Sequence, residues 1–284
     1  MAAPSASTRT DSALAHLLER SRYEVIPLAG VEEKVLEHVP QDVTITVTAS
    51  PLKGLEPTLE LTTRLAAEGY PVVPHLSARL VHDKAHLSEL IAQLSELGVS
   101  DVFVVAGDAD TPAGAFEGAA ALLDAMHDVG HPFEQIGITG YPESHPLIDD
   151  WTTIASMFEK ARYATYIASQ ICFDSSVTVE WVNNVWARGT RLPILVGIPG
   201  IVPRAKLMRV SAKIGIGESL RYLRKHNDFV TRFLRPGGFS PDRLIKGLQP
   251  VIGGPEEKIG GFHIFTFNEL AETEAWRQRK LAGR

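Results

Sequence analysis

Residues 101–108 read DVFVVAGD: five consecutive apolar residues from Val102 to Ala106, then a glycine and a carboxylate. An apolar run that short, closed by Gly, has the pattern of a strand buried on both faces, with Asp108 emerging at its carboxyl end. In parallel α/β folds, ligands and chemistry gather at those ends. Asp108 is therefore expected on the working face, as one of a ring of such ends.

The same plan recurs on both sides of this stretch. Upstream, 22–28 (RYEVIPL), 42–49 (DVTITVTA) and 70–76 have strand character, the second through its β-branched residues. Downstream, 135–141 (QIGITGY), a segment within 164–173, 192–198 (LPILVGI) and 262–267 (FHIFTF) bring the set to eight. Helical spacing fills the intervals at 31–38, 57–68, 84–97, the Ala-rich 114–129, 151–161 and 177–188, with a last helix at 269–281. Between Pro199 and Gly261 the sequence predicts helices alone, at 203–213, 218–235 and 241–248. Thr10 or Asp11 is expected to cap a leading helix over 12–20, after a disordered tail of small and polar residues. Eight alternations predict a (β/α)8 TIM barrel over 21–284, with extra helices before the eighth strand and residues 1–20 as tail and helix. A doubly wound sheet is the competing architecture, but GIGES at Gly215 is not G-x-G-x-x-G, and no P-loop occurs.

Composition narrows the function classes. At 284 residues the chain can bury a full core, and 44% hydrophobic with 22% charged residues is ordinary for a globular protein. A net charge of −6 without a long basic run argues against nucleic acid or anionic membrane as partners. No stretch approaches the roughly 18 apolar residues of a membrane span, and the amino terminus lacks the apolar centre of a secretory signal. Cys172 is the single cysteine and lies in an apolar run, which predicts a buried inert thiol and a reducing, cytoplasmic setting. No residue pattern bears on oligomeric state.

If the barrel is right, the strand ends bring together Thr48, His75, Asp108, Tyr141, Glu143, His145, Gln170, Asp174 and Asn268. Glu24 lies in mid-strand between Tyr23 and Val25, where desolvation should raise a carboxyl pKa and suit a general acid. The competing reading is a structural Glu paired with a Lys or Arg. Asp108 has its own plain alternative as a turn or cap residue. His82 and His86 have i, i+4 spacing but no third ligand beside them, so a solvated face is expected and no metal site. His145 stands in the rigid turn YPESHP, a positioned loop histidine. Neither G-x-S-x-G nor a Cys/His arrangement supports covalent catalysis.

Taken in order, YEVIP around Glu24, VTAS after the second strand, PHLSA at Pro74, AGD at Ala106, YPESHP at Tyr141, SQICFD at Ser169, PGIVP at Pro199 and HIFTFN at His263 resemble the 5,10-methylenetetrahydrofolate reductase family. The resemblance runs from Tyr23 to Asn268 and implies a (β/α)8 barrel that reduces 5,10-methylenetetrahydrofolate to 5-methyltetrahydrofolate in one-carbon metabolism. It implies Glu24 as the general acid that helps open the N5–N10 methylene bridge, and Asp108 and Gln170 as folate contacts. Thr48, His75, Gly107, Tyr141 and His145 match positions that touch the family's flavin.

Other positions depart from the family. Its Arg before Gly-Asp is Ala106 here, and its Asn-x-x-Arg-Lys set reads Ala155, Phe158 and Glu159. Three cations are lost and an anion gained, and each lost charge-assisted bond to a diphosphate is worth roughly 1.5–3 kcal/mol. The expectation is an enzyme that holds FAD poorly or not at all, with NADH passing hydride directly to the folate. The same reaction through bound FAD, and a non-catalytic folate-binding barrel, are the alternatives. The family's stacking aromatic is replaced by Leu207, and Arg204, Lys206 and Arg209 are candidates for the folate glutamate tail.

Overall fold

The computed structural model describes residues 6–142, 150–203, 241–254 and 256–283, and its elements are numbered among these. Eight parallel strands close into a barrel in sequence order: β1 (Arg22–Val25), β2 (Thr44–Val47), β3 (Val72–Ser77), β4 (Asp101–Val105), β5 (Gln135–Gly140), β6 (Tyr166–Ser169), β7 (Ile194–Pro199) and β8 (Ile259–Phe265), which pairs back onto β1. Around it stand α1 (Ala6–Glu19), α2 (Val31–His38), α3 (Glu56–Ala67), α4 (Lys84–Glu96), α5 (Ala119–Val129), α6 (Asp150–Ala161), α7 (Ser175–Ala187), α8 (Pro241–Gly247) and α9 (Leu270–Ala282).

The expected alternation is present, with local corrections. The leading helix runs through Thr10 and Asp11 from Ala6, so part of the stretch read as a tail is helical. A residue suited to capping does not stop a helix when the residues before it also tolerate one. The Ala-rich helix starts at Ala119 rather than at residue 114. Gly114 belongs to the preceding loop, where a Cβ would stand 1.8 Å from the His82 carbonyl, and Gly118 forms an extended N-cap. Strand eight begins at Ile259, three residues early, and takes in Gly260 and Gly261. The helices expected at 203–213 and 218–235 lie outside the described residues.

Which side chains face inward follows from β1. The Tyr23 hydroxyl reaches Glu274 of α9, so Tyr23 points out of the barrel, and by the period of two Arg22 and Glu24 point in. The strand register carries that assignment round the barrel. Thr46 is paired with Glu24 and with Val73, and His75 with Phe103. Inside, Val73, Phe103, Tyr166, Ala168 and Leu195 form an apolar plug distinct from the larger core between strands and helices. The barrel is a packed solid and not a pore.

At the amino-terminal end of the strands, Arg22 donates to Asp101 at 2.7 Å and to Gln135 at 3.1 Å, while the Tyr166 hydroxyl donates to Asp101 at 3.0 Å. The guanidinium also lies 4.3 Å over the Tyr166 ring. A buried ion pair is tolerable when its remaining donors and acceptors are met in this way.

The seam between β1 and β8 is fastened by the residues that end β8. Asn268 donates to the Ile26 carbonyl and accepts from the Ile26 amide, both at 2.9 Å, and the Thr266 hydroxyl donates to the Glu24 carbonyl at 2.6 Å. Asn268 stands at φ 61°, a left-handed conformation that Asn adopts more readily than most residues. Outside the seam, Tyr23, Glu274 and Arg277 form a buried group, with Arg277 giving two bonds to Glu274 at 2.9 and 3.0 Å and one to the Leu18 carbonyl at 3.4 Å.

Candidate active site

Glu24 is the inward carboxylate nearest the carboxyl end of β1, and the seam bonds to its own carbonyl and to Ile26 hold that backbone in place. Its partner is neither a lysine nor an arginine. His263 Nε2 lies 3.0 Å from Glu24 Oε2. That distance serves either proton arrangement: ring N–H donating to a carboxylate, or carboxyl O–H donating to the ring nitrogen. The Glu24 side chain is 15% exposed and that of His263 only 3%, so the accessible member of the pair is the acid.

His75 completes the group from β3. Ligating atoms of Glu24, His75 and His263 all lie within 4.8 Å of one another, the one such set of three found among the described residues. The His75 ring packs at 4.8 Å from Phe103 and 6.4 Å from His263, and His263 meets Phe265 edge-on at 5.0 Å. Burial lowers the His75 pKa to about 4, with Glu24 pulling it back only in part, so this imidazole is neutral near pH 7. Its Nε2 and the neighbouring Thr46 Oγ1 are buried without a hydrogen-bond partner among the described residues. Two orphaned polar atoms beside an acid mark a place where a ligand or water has bonds to gain.

The remaining expected residues ring the mouth. Thr48 follows β2 and is half-buried; its amide donates to the Val25 carbonyl and its own carbonyl accepts from Thr58. Gly107 follows β4 at φ 90°, where a Cβ would stand 1.9 Å from Ser77 Oγ, so the turn admits only glycine without rearrangement. Asp108 is exposed beside it. Tyr141 follows β5; burial raises its pKa, a hydrogen bond with Thr139 opposes the rise, and the negative charge of Asp108 adds to it. Gln170 follows β6, exposed, its Oε1 accepting from the Ile171 amide at 2.8 Å. His145, Glu143, Arg204, Lys206, Leu207 and Arg209 lie outside the described residues.

Two of the residues expected at the strand ends have structural work there. Asp174 caps α7, accepting from the Ser176 amide at 2.9 Å, and the Asn268 amide is spent on Ile26. Cys172 is buried, with its thiol directed at the Asp174 carbonyl. The His82 and His86 rings lie 4.9 Å apart, tilted by 32°, at the start of α4, where Asp83 is the cap. The residue that sequence reasoning passed over is His263. It sits in the quoted HIFTFN motif, but only the inward alternation of β8, with the register that pairs it with Arg22, puts it within reach of Glu24 one inward position along β1.

The arrangement offers a partly accessible carboxylate inside the barrel mouth, with a second carboxylate exposed on the rim. A family model described as methylenetetrahydrofolate reductase matches residues 27–216. That span ends short of β8 and begins just after β1. Among solved structures, the C-terminal domain of a putative chitinase from Desulfitobacterium hafniense DCB-2 superposes with TM-score 0.51 at 12% identity, covering 92% of this chain and 98% of that one. A putative lyase/mutase from Burkholderia cenocepacia J2315 gives 0.47 at 15% identity, covering 96% and 85%. At 12% identity the first of these speaks to the fold alone.

Proposed function

Because this chain belongs to the methylenetetrahydrofolate reductase family, we propose that it reduces the methylene bridge of 5,10-methylenetetrahydrofolate to the N5-methyl group with hydride taken directly from NADH. In this reading Glu24 gives a proton to N10 as the N10–methylene bond breaks, which leaves an N5 iminium. Hydride then adds to the iminium carbon, and NADH leaves as NAD⁺. Asp108 faces the pterin ring, where a carboxylate accepts from ring N–H groups and offsets the positive charge that develops at N5. Gln170 supplies a neutral amide to the same ligand. The observation that carries the proposal is Glu24 itself: an inward, partly accessible carboxylate with one oxygen engaged by His263 and no partner on the other among the described residues.

The described residues do not suit a flavin diphosphate. Ala106, Ala155 and Glu159 are exposed where the family places cationic or amide donors, and Phe158 packs against the outer core. Arg79, a cation beside the β4 end, is committed to the carbonyls of Ala109, Asp110 and Glu117. The second reading, the same reaction through bound FAD, draws on Thr48, His75, Gly107 and Tyr141, and on the unpartnered Nε2 of His75 at the flavin-ring end of the site.

One experiment separates them. The visible spectrum of the purified protein is recorded before and after excess FAD is added and the unbound portion removed, and NADH oxidation on methylenetetrahydrofolate is assayed in both samples. Turnover without a flavin band, and no gain after FAD, is the expected result. A retained flavin, or activity that appears only with FAD, overturns direct transfer, and no NADH oxidation in either sample overturns the reductase assignment.

A further inference from the structure

We propose that His263 is the positioning residue of the acid: its Nε2–H binds Glu24 Oε2, aims Oε1 at the substrate and takes up the charge left when Oε1 gives its proton away. This rests on the reductase reading for the identity of the proton acceptor. The pairing itself is a matter of geometry. Nε2 and Oε2 are 3.0 Å apart. The ring cannot swing away easily, being 3% exposed and packed near Phe103 at 6.1 Å and against Phe265 at 5.0 Å. Its register partner on β7 is Gly197, which carries no side chain that could bond the ring.

The other groups inside the barrel do not compete for the role. His75 on β3 is neutral near pH 7, and Arg22 on β1 is engaged by Asp101 on β4 and stacked on Tyr166 of β6. Asp108 and Tyr141 stand on the rim. Among the described residues His263 is the sole partner of the Glu24 carboxylate. The step balances simply: the proton leaves Oε1 for the substrate nitrogen, the negative charge spreads over both oxygens, and the N–H bond to Oε2 strengthens. His263 ends as it began. The acid recovers its proton from water through its own accessible edge.

The test compares His263→Phe, which keeps an aromatic ring and loses the donor, with His263→Gln, whose amide N–H reaches a similar position and cannot titrate. A hydrogen bond donated to a carboxylate favours its ionised form, so losing it keeps the acid protonated to higher pH. His263→Phe should lower kcat by about 10- to 100-fold, within what a general acid contributes, with folate KM held within about twofold and the alkaline limb of the pH–rate profile moved upward. His263→Gln should recover most of the rate and return the limb. A purely packing role predicts lost stability in both variants with no movement of the limb. An unmoved limb in His263→Phe, or no rescue by Gln, overturns the proposal.

A second readout needs no turnover. In protein labelled with ¹⁵N-histidine, the Nε2 resonance of His263 should shift when Glu24→Gln is introduced, and an unchanged resonance overturns the pairing. A wild-type enzyme that shows the pair but oxidises no NADH on methylenetetrahydrofolate overturns the reductase reading instead.

Discussion

His75 shows how strongly position governs a single side chain in this barrel. It is 6% exposed, and its pKa is lowered to about 4 from an ordinary value near 6.5. Between those two values the unfolded chain binds a proton that the folded chain refuses, so stability rises with pH across that window. The contribution is fully present above about pH 6.5 and is lost as pH falls towards about 4, amounting to at most about 3 kcal/mol. His75→Phe, which preserves the ring contact with Phe103, should flatten the dependence of urea-unfolding free energy on pH between 6.5 and 4. A slope equal to that of the wild type would refute this account. At this scale the sequence was legible where chemistry follows from local context. Glu24 between two apolar residues, and Asp108 after Gly107, both stand out from their immediate neighbours. His263 does not, because its significance depends on a partner 239 residues away.

Among the elements, β8 has a double role: it closes the sheet, and its trailing residues bind the backbone of β1. Asn268→Ala would remove both bonds to Ile26, leave that residue's N–H buried and unmet and its carbonyl with only the Leu28 amide, and put an alanine at φ 61°. The expected loss is about 2–4 kcal/mol of stability, from two forfeited bonds and a strained backbone, read from the midpoint of chemical denaturation at constant m. A loss under about 1 kcal/mol would mean the seam is held elsewhere. Strand identity was readable from apolar runs, yet strand eight was read three residues short. Gly260 and Gly261 have low strand propensity, and pairing of Ile259 and Gly261 with β7, across a register irregularity, carries the strand through them. Asp174 and Asn268 were grouped with the other strand-end residues because topology places them there. Cap and clasp bonds consume their polar atoms instead, and hydrogen-bond accounting of that kind needs coordinates.

For the molecule as a whole, the eightfold alternation was the legible part, since each βα unit repeats one pattern of burial. The joining of the two ends of the barrel was not, because no local signal tells Tyr23 that it will meet Glu274. That group ties α9 to β1 and, through Leu18, to α1. Arg277→Met should leave Glu274 without its cation in a buried place and cost about 3–5 kcal/mol, seen as a lowered thermal midpoint. Little change would show that Tyr23 and Gln278, which donates to Glu274 at 2.6 Å, suffice to hold the carboxylate. The seam also has a consequence for the order of events when the chain is made. Glu24 lies in the first strand of the barrel and His263 in its eighth, so until β8 is made the carboxylate has no imidazole to pair with. A chain that has made seven strands holds most of the rim but not the Glu24–His263 pair, which forms in one step with the strand that shuts the ring.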